Sequence, residues 1–99
     1  MDKGDNIMRV SGRLTMETTV DLFRKGVKLK EGVTDLVVDM AQVDAVDSSA
    51  VSLMLSWLRA AQRGKVRISF INVPENLLSL TSLYGVAESL SLHVHGSDA

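Results

Sequence analysis

Residues 34–73 constrain the fold more than any other part of the chain. TDLVVDM, residues 34–40, is short, apolar and rich in β-branched side chains, the pattern of a central strand buried on both faces. VRISFINV, residues 66–73, alternates: Val66, Ile68 and Phe70 fall on one side, Arg67 and Ser69 on the other, as in a strand with one drier face. Between them, residues 50–63 repeat apolar positions at helical spacing until Gly64. A helix between two strands of this kind is a βαβ crossover, which makes the strands parallel and the fold class α/β.

The flanks extend the same alternation. Ile7, Met8 and Val10 form a strand-like run that Ser11-Gly12 interrupts and Leu14 resumes, either two short pieces around a turn or one bent strand. Residues 15–30 predict a helix with a capping box from Thr18 to Asp21, its core face on Val20, Phe23 and Val27, and its end at Glu31-Gly32. VDAVDSSAV, residues 43–51, is expected to be a loop running into the helix at 50–63. Pro74 opens a Leu-rich helix that ends at Gly85, and residues 88–95 fit either a short helix or an edge strand. Residues 1–5 read as a polar tail, and the 99 residues as one small domain.

Composition narrows the function. Eleven basic and twelve acidic side chains nearly cancel, which gives no electrostatic reason to expect nucleic acid or direct membrane insertion. With no cysteine there is no disulfide or thiolate chemistry, and with no apolar leader or span a cytoplasmic protein is expected. Asp39, Asp44 and Asp47 would need a lysine at a later strand end to resemble a magnesium phospho-acceptor site, but Lys65 precedes its strand. His93 and His95 lack a third metal ligand. No nucleophile-base order or Gly-rich phosphate loop is present, so neither catalysis, a metal nor a cofactor is expected.

Two features remain as candidate binding determinants. On a helical projection of residues 50–63, Leu53 and Trp57 lie beside the core stripe of Val51, Met54, Leu55 and Leu58. The apolar arc then spans roughly 220°, against the ~100° that packing on one sheet face requires. Either another helix of the domain covers the extra arc, or Leu53 and Trp57 form an exposed patch for a partner. The second feature is Asp47-Ser48-Ser49. Asp and Ser are preferred N-caps, yet a helix start also stabilises an anion, so a phosphate on Ser48 would sit where N–H groups already point. It would also repel a partner packed there. The pattern by itself leaves cap and docking surface both open.

The stretch LVVDMAQVDAVDSSAVSLMLSWLRAAQRGKVRISFINVPENLLSLTSLYGV, with VSGRLT before it, resembles a STAS domain. That resemblance implies a mixed, largely parallel sheet of four to five strands with three to four helices packed mainly on one face. It aligns Ser48 with the hydroxyl that anti-sigma factor antagonists phosphorylate. The chain differs from those antagonists at Ala50, where many have Gly, and at Arg13, where they commonly carry Glu. It is more similar to the small STAS subunits of Mla-type ABC transporters, which maintain outer-membrane lipid asymmetry in Gram-negative bacteria. The resemblance implies a non-catalytic subunit held at the inner membrane through the transporter complex. It would bind the transporter ATPase through Asp47, Ser48, Ser49, Ala50, Leu53 and Trp57. The alternative it implies is an anti-sigma factor antagonist switched at Ser48.

Overall fold

The computed structural model describes residues 7–26, 32–86 and 94–95. In chain order these form β1 (Ile7–Leu14), α1 (Met16–Lys25), β2 (Asp35–Val46), α2 (Ser48–Arg63), β3 (Arg67–Ile71), α3 (Glu75–Leu83) and β4 (Val94–His95). The strands lie in the order β1-β2-β3-β4, and every ladder is parallel. Three strands make the body of the sheet; β4 adds a two-residue edge, with Val94 opposite Phe70 and His95 opposite Ile71. The antiparallel component expected of a mixed sheet is not found among the described residues. The tail at 1–5 and most of the ambiguous segment at 88–95 lie outside them.

Burial follows strand parity. Leu36, Val38 and Met40 of β2, Ile68 and Phe70 of β3, and Val10 and Leu14 of β1 are buried, while Val37, Asp39, Ser69 and Ile71 between them are only half-covered. One face of the sheet therefore carries the core. On the other, Arg9 stands 3.9 Å from Asp39 and Arg67 stands 3.1 Å from Asp35. Both pairs are solvated and contribute little.

β2 runs six residues further than the sequence pattern suggested, so the loop expected at 43–51 is strand as far as Val46 and helix from Ser48, two residues before the expected start at 50. The reason lies in β1, which passes through Ser11-Gly12 without breaking and so offers β2 a partner from Val37 to Val46. The fit is not regular. Arg9 to Ser11 faces Asp39 to Gln42, and Gly12 to Arg13 faces Val43 to Ala45, so β2 carries an extra residue at each place. Such bulges bend a strand and switch its inward face. Val43, not an even-numbered neighbour, is accordingly the next buried position after Met40. Gly12, at φ 82°, supplies the left-handed backbone beside the second bulge.

The first helix departs from expectation in length and rotation. It starts at Met16, where the Thr18 hydroxyl accepts from the Thr15 N–H, so the box spans Thr15 to Thr18 rather than Thr18 to Asp21. It ends at Gly26, whose φ of 63° breaks the helical run well before Gly32. Its buried side is Thr19 with Leu22 packed against the core, while Met16, Val20 and Phe23 are exposed. Val20 and Phe23 are thus not the core face.

α2 answers the question of the wide apolar arc. It packs against both α1 and α3 as well as against β3, so it is the central helix of the layer. A central helix has a covered flank on each side, and Leu53 and Trp57 are 0% and 2% exposed. The expected exposed patch at Leu53 and Trp57 is therefore corrected: both are core, joined there by Ala50. The Trp57 indole N–H is buried without a hydrogen-bond acceptor among the described residues.

Candidate functional site

The ends of β1 and β2 deliver two helix starts to the same place. Asp47 sits between β2 and α2 in extended conformation, at φ −136° and ψ −170°, and its backbone N–H donates to the Leu14 carbonyl oxygen at 3.2 Å. Its side chain caps both helices. Oδ1 accepts from the Ser49 N–H at 2.9 Å and from the Ser49 hydroxyl; Oδ2 accepts from the Met16 N–H at 3.0 Å, at the first residue of α1. A carboxylate is the right group for this position, because it carries two acceptor oxygens and its charge complements both helix dipoles.

That arrangement distributes the roles of the motif. Asp47 is the cap, and Ser49 is tied to it. Ser48 is left exposed at the first position of α2, and its hydroxyl makes no hydrogen bond among the described residues. Ala50 is buried beneath it. Beside the motif runs an open groove lined by Arg13, Thr15, Met16, Glu17 and Asp47. Sequence reasoning missed Thr15, Met16 and Glu17, since nothing in their spacing from Asp47 shows that β1 and β2 end side by side. Of the six residues expected to bind a partner, Asp47, Ser48 and Ser49 lie together at the surface, while Ala50, Leu53 and Trp57 do not.

A second polar node lies across the sheet. Asp39 Oδ1 accepts from the Ala41 N–H at 3.0 Å, at the first bulge, and from the Asn72 amide at 3.0 Å. Asn72 has φ 56°, a left-handed conformation that Asn tolerates better than most side chains, so the contact fixes the turn between β3 and α3. Asp39, Asp44 and Asp47 have separate surroundings, and among the described residues no three acidic or histidine side chains converge.

Both bonded carboxylates are held below the ordinary range. For Asp47 the Ser49 hydroxyl is the main cause, followed by the Met16 N–H; for Asp39 it is the Asn72 amide, followed by the Ala41 N–H. A carboxyl group whose pKa falls on folding stabilises the fold above its unfolded value of about 3.9. That contribution is lost as the pH drops through the lower folded value. The melting temperature is therefore expected to fall on acidification below pH ~4. Asp47→Asn can still cap α2 but turns an amide N–H2 or a single oxygen toward two sets of donors. It should lower the melting temperature by several degrees at pH 7 and differ less from wild type near pH 2, as thermal melts across this range would show.

With the double cap described, the relationship to known proteins can be stated. The family model described as Mlab, STAS domain matches residues 1–93. The chain belongs to the STAS domain family. Its fold is similar to a sulfate transporter family protein from Wolinella succinogenes, with a TM-score of 0.73 and 14% identity, covering 90% of this chain and 74% of that one. It is also similar to the SulP transporter STAS domain from Vibrio cholerae, with a TM-score of 0.66 and 9% identity, covering 89% and 70% respectively. At such identities these structures speak for the fold alone. No curated relative matches the sequence. Among the described residues no helix is long and apolar enough to cross a membrane.

Proposed function

We propose that this STAS domain is a non-catalytic subunit of a phospholipid-transporting, Mla-type ABC transporter that maintains outer-membrane lipid asymmetry. It binds the ATPase on the cytoplasmic side and supports its assembly and activity. The observation that carries this reading is the free Ser48 hydroxyl. Asp47 already satisfies the helix start, so capping does not account for an exposed hydroxyl at the first turn of α2. A hydroxyl there, beside an open groove, offers a partner both a donor and an acceptor. The match to the MlaB-type family model favours a transporter ATPase as that partner over the anti-sigma pathway.

The direct test is reconstitution. The purified ATPase is expected to turn over ATP faster, and to stay assembled longer, with the STAS chain present, while the chain alone hydrolyses nothing. ATP turnover that stays with the isolated chain through repurification would contradict the non-catalytic role. An ATPase indifferent to the chain would contradict the transporter role.

A further inference from the structure

The exposed face of α1 is an apolar surface that begins at Met16, on the rim of the groove beside Ser48, and runs away from it along the helix. Met16, Val20 and Phe23 are 69%, 49% and 41% exposed and recur at i, i+4 and i+7, so they form one stripe along the helix. At 100° per residue the three fall within an arc of roughly 60°. Glu17 and Arg24 are exposed on the same flank of that stripe, one near each end of the helix.

We propose that two copies of this chain pair through α1, antiparallel about a twofold axis at Val20. A twofold interface must be self-complementary, and this face is. Antiparallel pairing centred on Val20 sets Met16 against Phe23 of the other copy. A twofold axis of this kind keeps each flank on its own side, so Glu17 meets Arg24 of the other copy, and Arg24 meets its Glu17. The three pairs are centred within half a residue of Val20, so one antiparallel register brings all of them close together. Parallel pairing would instead carry this flank to the opposite side of the seam, where Glu17 and Arg24 have no such partner in the other copy. The surface is small beside the ~1,200 Å² or more that stable complexes bury, so the dimer is a weak one that forms with rising concentration.

Sedimentation equilibrium of the isolated chain tests this without any ATPase, and so separately from the proposed function. Wild type is expected to move from monomer to dimer with concentration. Val20→Arg, which places two like charges at the axis, should weaken dimerisation at least tenfold. Glu17→Arg should weaken it too, and the double exchange Glu17→Arg with Arg24→Glu should restore it. All three positions are exposed, and matched melting curves for the variants confirm that folding is intact. A wild type that stays monomeric at millimolar concentration overturns the proposal, as that stripe then serves a different partner. So does a dimer that Val20→Arg leaves unaltered, or a double exchange that restores nothing.

Discussion

Trp57→Ala is expected to remove most of the stability of this domain. The side chain is 2% exposed on the central helix, among Leu53, Met54, Leu58 and the rest of one core cluster. Truncating a buried aromatic costs about 3–5 kcal/mol through lost transfer energy and the cavity left behind. A domain has about 5–15 kcal/mol in all, and one of this size loses roughly 4–8 °C in melting temperature per kcal/mol. Thermal or urea denaturation should therefore show a fall of more than about 10 °C, or a chain that does not fold at 37 °C. Trp57→Phe separates packing from polarity. The indole N–H has no acceptor among the described residues, and a buried donor without one costs about 1–3 kcal/mol. Phe discards that penalty and keeps most of the ring contacts, so the two effects oppose and the variant should melt close to wild type. A large loss from Trp57→Phe would mean that the N–H is bonded in solution. A mild Trp57→Ala that abolished ATPase binding would return Trp57 to the surface.

The central βαβ unit was legible in the sequence because each of its parts has a strong local cause. β-branched residues run together in β2, apolar residues alternate in β3, and Gly64 ends α2. What could not be read depends on neighbours. Gly12 looks like a break because a lone strand would stop there; β1 continues because β2 lies alongside and bulges to match it. Gly26 and Gly32 are equally good helix stops on paper, and both adopt positive φ, but α1 ends at the first. Val20 and Phe23 are more apolar than Thr19, yet Thr19 is buried. The rotation of α1 is tied to the Asp47 carboxylate at Met16 and to the packing of α1 on α2, not to a hydrophobicity count. The apolar width of α2 was visible, but whether that width meant a partner or two flanking helices depended on α2 being central. In the motif itself, residue types suggested both a cap and a docking surface. The fold assigns the cap to Asp47 and leaves Ser48 free, a division that only the position of Met16 reveals.

Ser48→Asp is expected to leave the folded domain intact and abolish the complex proposed here with a transporter ATPase. In the free chain the new carboxylate is exposed at the first turn of α2, where the helix dipole favours negative charge. The neighbouring Asp47 carboxylate opposes it in part, though solvent screens the pair. The melting temperature should accordingly stay within a few degrees of wild type. On docking the balance reverses. The added charge is taken out of water beside Asp47, whose two oxygens are already engaged with Ser49 and Met16. An uncompensated charge at a closed interface costs several kcal/mol, which is a loss of 100-fold or more in affinity. Ser48→Thr keeps a hydroxyl of the same reach and should bind within a few-fold of wild type. Ser48→Ala distinguishes a hydroxyl that bonds the partner from one that only has to be uncharged: the former loses about 0.5–1.5 kcal/mol, the latter nothing measurable. Co-purification with the ATPase, alongside melting curves for the same three variants, reads both quantities. A stable Ser48→Asp domain that still co-purifies would show that α2 does not dock through its first turn. A phosphate on Ser48 would act in the same direction with up to twice the charge, so the Asp variant also sets the sign of any regulation by phosphorylation at this site.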